Sequence, residues 1–254
     1  MEYNAENPLI IAHRGLSQDY PENTWLAFER AVELGVDMIE LDATLTSDGH
    51  MMVIHDDTLT RTTNGRGWVC HQTRAELEAL DAGHWFSHIG DGQRVPVLLD
   101  VIDRLAPKVQ LNVEFKPFFP LHRAQQFQAE LLGFLKHLKA TGLQSQILIS
   151  SVNYFILELI RELDPDIRLG LIYRRPLTDF DPVMACESIG AWSLHPYDKQ
   201  AGRALVESVH AIGAKVFPYT VNDIDQLLAL LANGVDGVFS DVPGKLREAL
   251  QVRR

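Results

Sequence analysis

Short apolar runs alternate with stretches of helical spacing along most of the chain, and this alternation constrains the fold more than any other feature. The runs predicted as barrel strands are Leu9–Ala12, Met38–Leu41, Leu111–Phe115, Ile147–Ser150, Arg168–Tyr173, Ala191–Leu194, Lys215–Tyr219 and Gly237–Ser240. Helical spacing fills Trp25–Leu34, Ala124–Leu138, Phe155–Leu163, Ala204–Ile212 and Ile224–Leu231. Such alternation is typical of βαβ units with a parallel sheet. Eight strands in 254 residues predict an α/β fold, a closed (β/α)8 TIM barrel rather than a doubly wound sheet.

Two segments depart from the simple alternation. Met51–Ile54 follows Asp48-Gly49, a hairpin turn signal, and is predicted to be an extra strand beside the second barrel strand. Residues from about 57 to 96 hold several glycines and no clean barrel unit, so we predict a small insertion there, over the barrel mouth as a candidate lid. Without a linker or repeat, residues 1–254 are predicted to form a single barrel domain.

Composition excludes several classes of partner. The formal net charge of −11 argues against a general nucleic-acid binder or a protein that binds anionic membranes. It leaves room for a small anionic substrate, because local cations and a metal can reverse the field inside one cleft. The N-terminus lacks the features of a signal peptide, and no apolar run suits an integral membrane segment, so a soluble cytoplasmic protein is expected. Cys70 and Cys186 form no motif and are expected to be reduced thiols.

Polar residues suited to catalysis follow the predicted strands directly. They are His13 and Arg14 at the first strand, Glu40 and Asp42 at the second, His55 after the extra strand, and Glu114 and Lys116 at the third. The carboxyl ends of the strands form the active-site face of a (β/α)8 barrel, so these side chains are expected to converge at one mouth. Residues two apart on a strand share a face, which pairs Glu40 with Asp42 and Glu114 with Lys116.

Three carboxylates at one mouth predict a divalent cation. Glu40, Asp42 and Glu114 would repel one another strongly without one, and all-oxygen ligands favour Mg²⁺ or Ca²⁺ over Zn²⁺. Ordinary salt bridges at strand ends would explain Glu40 and Asp42 equally well. Arg14 and Lys116 carry positive charge suited to phosphate oxygens. Pairing with the neighbouring carboxylates is the structural alternative for both cations, and the two roles are compatible.

Among ten histidines, His13 and His55 stand out because each follows a strand and is flanked by other polar candidates. His195 also follows a strand and is a weaker candidate for the cleft, whereas the others are expected to be structural or exposed. Pro21–Thr24 opens the first predicted helix with Asn23 or Thr24 as its cap. Glu22, in the same segment, is a weak candidate for outer contacts of a metal.

The ordered motifs of the chain resemble those of the glycerophosphodiester phosphodiesterase family, in particular its cytoplasmic bacterial branch. The matching motifs are His13–Gly15, Pro21–Thr24, Glu40–Asp42, His55–Leu59, Arg61–Gly65, Leu80–Gly83, Glu114–Lys116, Ser150-Ser151, Tyr219–Asn222 and Asp236–Val238. Each motif alone is weak, but together they span nearly the whole chain in family order. Tyr219 stands where many members carry Trp, and Val152 where Phe is common; both departures concern substrate preference rather than the reaction.

The resemblance implies a (β/α)8 barrel that hydrolyses glycerophosphodiesters to sn-glycerol 3-phosphate and an alcohol. It implies catalytic roles for His13 as base and His55 as acid, although the residues themselves are equally compatible with the reverse. It also implies metal ligation by Glu40, Asp42 and Glu114, and phosphate binding by Arg14 and Lys116.

Several alternatives stay open at the level of sequence. A lysophospholipase D-like enzyme would need an apolar entry, for which Phe86, Phe118 and Phe119 are candidates. A non-enzymatic glycerophosphodiester-binding protein would share the fold, and an unrelated metal-dependent barrel hydrolase is a further alternative. The first nucleophile is either water or the substrate's own 2-hydroxyl, which would give a cyclic glycerol phosphate. The headgroup, the metal and the oligomeric state are also undetermined.

Overall fold

A computed structural model describes residues 6–117, 123–174 and 180–251. Its strands are β1 (Leu9–Ala12), β2 (Met38–Leu45), β3 (Met51–Val53), β4 (Gln110–Phe115), β5 (Ile147–Ser151), β6 (Arg168–Tyr173), β7 (Ser193–Pro196), β8 (Lys215–Val216) and β9 (Gly237–Ser240). Eight of them form a parallel sheet in the order β8-β7-β6-β5-β4-β2-β1-β9, and β3 pairs antiparallel with β2. Backbone hydrogen bonds from Asp236 N to Val216 O (3.0 Å) and from Phe239 N to Pro218 O (2.9 Å) link the two ends of the sheet. The predicted (β/α)8 barrel is confirmed.

Helices pack around the outside of the sheet. They are α1 (Trp25–Leu34), α2 (Arg74–Glu78), α3 (Leu98–Leu105), α4 (Ala124–Thr141), α5 (Tyr154–Leu163), α6 (Pro182–Ser188), α7 (Arg203–Ala211), α8 (Ile224–Ala232) and α9 (Pro243–Gln251). Helix α1 begins after Thr24, whose hydroxyl accepts a hydrogen bond from Ala27 N, and it ends at Gly35 in the left-handed conformation. No helix in the described ranges is both long and apolar enough to cross a bilayer.

The barrel interior changes character along its axis. Its lower part is filled by Leu9, Ile11, Met38, Leu148, Phe217 and Phe239. Because successive inward positions are two residues apart on a strand, His13 follows Ile11, and Glu40 and Asp42 follow Met38. The same strands therefore supply an apolar plug at one end of the barrel and polar groups at the other.

The predicted insertion lies between β3 and α3 and packs around its own apolar cluster. That cluster consists of Met52, Ile54, Leu59, Val69, Leu77, Ala82, Val95 and Val97. Two parts of the insertion approach closely, because a Cβ added at Gly83 would lie 1.9 Å from Gly90 O. The segment is thus a packed structure that includes α2, while its role as a lid stays a prediction.

One strand is shorter than its apolar pattern suggested. The predicted run Lys215–Tyr219 forms a continuous ladder over Lys215–Val216, and beyond it Tyr219 makes an isolated parallel bridge with Tyr197. Pro218 has no backbone N–H, so it cannot donate to a neighbouring strand.

Candidate active site

A cavity of about 490 Å³ opens at the carboxyl ends of the barrel strands. Six of the predicted site residues line it: His13, Arg14, Glu40, His55, Glu114 and Lys116. The seventh, Asp42, is fully buried beside Glu40 and Glu114. The structure therefore brings together at one mouth all the residues that the sequence selected.

Glu40, Asp42 and Glu114 form an acidic cluster in which one carboxylate oxygen of each lies within 4.8 Å of the others. Glu40 Oε2 accepts a hydrogen bond from Arg14 N at 2.8 Å, whereas the buried Glu40 Oε1 has no hydrogen-bond partner among the described residues. Burial, together with the charges of Asp42 and Glu114, raises the pKa of Glu40 well above its usual value. A buried carboxylate oxygen without a partner, in an all-oxygen donor set, fits a hard divalent cation.

Two cations partly neutralise this cluster. Lys116 Nζ lies 2.9 Å from Asp42 Oδ1 and 2.7 Å from Glu114 Oε1. Arg14 Nε lies 3.3 Å from Asp42 Oδ2. Burial lowers the pKa of Lys116, but the charges of Asp42 and Glu114 outweigh it and raise that pKa overall. When all three carboxylates are ionised, as metal ligands are, their charge exceeds that of the two cations by one, so an anionic phosphodiester needs further positive charge to bind here.

His13 is held by a carboxylate from the last strand of the barrel. Asp241, which follows β9, accepts from His13 Nδ1 with an Oδ1–Nδ1 distance of 2.7 Å. Ser17 Oγ and Asn222 Nδ2 also donate to Asp241, at 2.9 Å and 2.7 Å. Burial opposes ionisation of Asp241, but the hydrogen bond and charge of His13 outweigh it, with Asn222 and Ser17, and lower its pKa to about 2. The ionised carboxylate can only accept, so the proton of this pair resides on His13 Nδ1 and leaves Nε2 for the cavity.

His55 has a matching arrangement built from neighbouring residues. Its Nδ1 lies 2.6 Å from Asp56 Oδ1, and Arg61 contacts both oxygens of Asp56 at 2.6 Å and 2.8 Å. Arg61 also donates two hydrogen bonds to Glu22, which accepts a third from Arg14. Hydrogen bonding to Arg61 is the main cause that lowers the pKa of Asp56. Alternating carboxylates and cations therefore connect His55 to Arg14 through Asp56, Arg61 and Glu22. Glu22 is bound within this network and lies outside the acidic cluster.

The loop between β1 and α1 adopts an uncommon backbone conformation at the site. Arg14 has φ 58° and Asn23 has φ 57°. Asn23 Nδ2 donates to Asp42 Oδ2 at 2.8 Å, and Asn23 Oδ1 accepts from Asp42 N at 3.3 Å. Asparagine tolerates this region, whereas for arginine it costs roughly 1–2 kcal/mol. The conformation places the backbone N–H of Arg14 on Glu40 and its guanidinium beside Asp42.

The opposite wall of the cavity is formed by β6, β7 and the segment after β8. Arg174 lies over the Tyr197 ring, 6.0 Å from its centroid, and both line the cavity with Tyr219 and Val152. The two departures from the family pattern, Tyr219 and Val152, are therefore cleft walls. Burial is the main cause that raises the pKa of Tyr219 to about 12. His195, the weaker histidine candidate, also lines the cavity.

Sequence reasoning missed the carboxylates that hold the two histidines. Asp241 is separated from His13 by 228 residues, and its one signal was its position directly after a strand. Asp56 was visible beside His55, but nothing in the pattern showed which way its side chain turns. Of the two predicted helix caps, Thr24 caps α1, as expected, and Asn23 binds Asp42, a contact that the sequence did not indicate.

The barrel and the polar cavity at its mouth define a (β/α)8-barrel enzyme. The family model described as "Glycerophosphoryl diester phosphodiesterase family" matches residues 13–245. The chain belongs to this family.

Curated relatives and solved structures agree with this assignment. A glycerophosphodiester phosphodiesterase of Caldanaerobacter subterraneus subsp. tengcongensis is 38% identical over 94% of this chain and 96% of its own length. One from Bacillus altitudinis is 35% identical over 95% of this chain and 99% of its own. An Oleispira antarctica phosphodiesterase, solved in complex with the product sn-glycerol-3-phosphate, is 31% identical with a TM-score of 0.83, covering 96% of this chain and 97% of that one. A glycerophosphodiester phosphodiesterase from Agrobacterium tumefaciens is 26% identical with a TM-score of 0.80, covering 95% and 99%.

Proposed function

We propose that this enzyme hydrolyses glycerophosphodiesters to sn-glycerol 3-phosphate and an alcohol, using Mg²⁺ or Ca²⁺ held by Glu40, Asp42 and Glu114. The observation that supports it most is the pair of histidines, each fixed at Nδ1 by a carboxylate, around one acidic cluster. The product bound to the Oleispira antarctica relative is the one expected here.

Positive charge around the phosphate is the first requirement of the reaction. A phosphodiester is an anion that repels nucleophiles, and charge grows further in the transition state. Glu40, Asp42 and Glu114 would hold the cation, which would offset their charge and supply Lewis-acid polarisation of a phosphoryl oxygen. Arg14 and Lys116 line the cavity, and each has more N–H donors than its carboxylate contacts use, so both offer positive charge and donors to the phosphate.

Proton transfer is the second requirement, and the two histidines supply it. His13 Nε2 takes the proton of the attacking hydroxyl, and His55 Nε2 gives a proton to the oxygen of the leaving alcohol. Each transfer contributes about 10²–10⁴-fold to the rate. Asp241 and Asp56 keep each ring oriented, with its Nε2 toward the cavity. The same groups serve water or the 2-hydroxyl as the nucleophile, and a 2-deoxy analogue that turns over as fast as the natural diester would exclude the cyclic route.

A phosphodiesterase assay tests the proposal directly. Glycerophosphocholine, glycerophosphoethanolamine and glycerophosphoglycerol are incubated with the enzyme before and after exhaustive chelation and after addition of Mg²⁺ or Ca²⁺. We expect sn-glycerol 3-phosphate as product, loss of turnover on chelation and its return with metal. His13→Ala and His55→Ala should each lose at least about 10²-fold in kcat, while His137→Ala, outside the cavity on α4, should not. Undiminished turnover after chelation, or release of phosphocholine instead of choline, would overturn the proposal.

The alternative of a lysophospholipase D-like enzyme has no specific support in the described residues. Phe86 is not among the residues that line the cavity, and Phe118 and Phe119 lie outside the described ranges. Comparing glycerophosphocholine with lysophosphatidylcholine in the same assay separates the two substrates. Binding without turnover would instead favour a non-enzymatic protein. A cytoplasmic location, the lack of nucleic-acid partners and the single-domain organisation stay predictions from composition and sequence pattern.

A further inference from the structure

Two buried polar side chains, Asn112 and His195, line the floor of the cavity beside the acidic cluster. Asn112 on β4 is in register with Glu40 on β2 and precedes Glu114 by two residues. It therefore lies one inward-facing position below Glu114, about 6–7 Å along the strand. His195 on β7 faces the same cavity, and both residues are 1% exposed.

Each of these side chains uses only part of its hydrogen-bonding capacity. Asn112 Nδ2 donates to Ser150 Oγ at 3.0 Å, and His195 Nε2 pairs with Ser193 Oγ at 2.7 Å. Asn112 Oδ1 and His195 Nδ1 have no hydrogen-bond partner among the described residues. A buried polar atom without a partner is costly, so these two atoms point to a polar group that binds between them and the substrate's phosphate.

The position of the His195 ring is fixed by its surroundings. The ring packs against Phe239 edge to face with a centroid distance of 4.8 Å. The ring fits against Gly170 because glycine has no side chain. A Cβ at position 170 would lie 2.5 Å from His195 Cε1. Burial lowers the pKa of His195 to about 3, so the ring is neutral at physiological pH and offers one donor and one acceptor.

We propose that Asn112 and His195 form a hydroxyl-binding subsite for the terminal C1 hydroxyl of the substrate's glycerol moiety, the hydroxyl farthest from the phosphate on C3. This inference rests on the proposed function. A hydroxyl can donate to Asn112 Oδ1 while it accepts from His195 Nδ1, with His195 Nε2 then accepting from Ser193 Oγ. One group would thereby satisfy both unpartnered atoms. The 2-hydroxyl stays beside phosphorus, whereas the terminal hydroxyl, one carbon farther from the phosphate, is the one free to reach Asn112 and His195. The glycerol then points into the barrel, and the variable alcohol faces the wall of Arg174, Tyr197 and Tyr219.

The test compares glycerophosphocholine with its 1-deoxy analogue, in which phosphocholine esterifies the primary hydroxyl of propane-1,2-diol. The analogue keeps the 2-hydroxyl and the leaving group, so it changes only the group that the subsite recognises. We expect the wild-type enzyme to favour glycerophosphocholine in kcat/KM by about 10- to 100-fold, since the analogue leaves buried polar atoms unpaired.

Two variants separate hydrogen bonding from packing. In His195→Gln the amide lies near the former Nε2 position and faces Ser193, whereas in His195→Asn it lies near the former Nδ1 position. The Gln variant should lose most of the preference for glycerophosphocholine while keeping its turnover of the analogue. The Asn variant should retain more of that preference, and Asn112→Leu should lose it.

The outcomes distinguish the subsite from the activity. If the wild-type enzyme hydrolyses both compounds with equal kcat/KM, the floor does not bind this hydroxyl and the inference is wrong. An equal loss on both compounds in the Gln variant would likewise show a merely structural role for His195. If the wild-type enzyme hydrolyses neither compound, the proposed function itself fails. The wild-type comparison needs no variant, so it decides even if a variant misfolds.

Discussion

Replacing Asp241 by Asn tests whether this carboxylate makes His13 a working base. The substitution keeps the size of the side chain but removes the charge that faces His13 Nδ1 at 2.7 Å. The pKa of Asp241 falls from 3.8 to about 2 in the folded protein. A pKa lowered by this much corresponds to about 2 kcal/mol, at roughly 1.4 kcal/mol per pKa unit.

This energy sets the scale of the expected effects. If most of it is realised in orienting His13 and stabilising its protonated form, kcat/KM should fall by about 10- to 100-fold in Asp241→Asn. A lowered carboxyl pKa stabilises the fold above the unfolded pKa of about 4, and this contribution is lost as pH falls toward 2. Urea unfolding should therefore show the variant to be less stable by up to about 2 kcal/mol at pH 7, with the difference shrinking below pH 4.

The matched control is Asp103→Asn, which breaks a histidine–carboxylate contact on the outside of the barrel. Asp103 Oδ1 lies 2.6 Å from His137 Nε2, and its side chain is half exposed. Steady-state kinetics with glycerophosphocholine should show wild-type kcat/KM for this control. Wild-type kcat/KM in Asp241→Asn would refute the orienting role of Asp241.

Three further predictions concern the charge chain, acid stability and backbone packing. Arg61→Ala removes the hydrogen bonds that hold Asp56 and should lower kcat by about 10-fold, while circular dichroism shows an unchanged fold. An unchanged kcat would show that Arg61 does not help to orient His55. His195 has a pKa lowered to about 3 by burial, so unfolding takes up a proton below about pH 6.5 and stability should fall there by up to about 1.4 kcal/mol per pH unit; urea titrations with the same slope in His195→Gln would contradict this. Gly237→Ala should unfold at a clearly lower temperature because its Cβ would lie 2.2 Å from a backbone oxygen of β1. Gly133→Ala, in open space on α4, should gain about 0.5–1 kcal/mol, and equal melting temperatures for the two variants would contradict the packing argument.

The sequence predicted the barrel well because its strongest signals are local. Leu9–Ala12, Arg168–Tyr173 and Gly237–Ser240 begin and end where the structure has β1, β6 and β9. Helix α3 was missed because it follows the glycine-rich insertion, where no clean barrel unit was expected. Pattern also could not show that β8 would stop at Val216.

The sequence identified the site residues that lie near the carboxyl ends of strands, but it did not identify the residues that hold them in place. Polar residues that follow short apolar runs identified His13, the acidic cluster and Lys116, because the fold gathers the carboxyl ends of the strands at one mouth. Contacts between distant segments gave no such signal. The pairing of Asp241 with His13 depends on closure of the barrel between β1 and β9, and the binding of Asp42 by Asn23 depends on a left-handed residue in the β1–α1 loop.

Divalent-cation binding at the acidic cluster tests the central claim most directly. Calcium and magnesium are titrated calorimetrically into protein freed of metal, and turnover of glycerophosphocholine is measured over the same concentrations. The wild-type enzyme should bind one ion and reach half of its activity at the concentration that half-saturates this site, and Glu40→Gln should lose both. Asp91→Asn, which alters the exposed cluster of His84, His88 and Asp91 in the insertion, should retain both. Full turnover without bound metal, or binding that survives in Glu40→Gln and disappears in Asp91→Asn, would contradict the account.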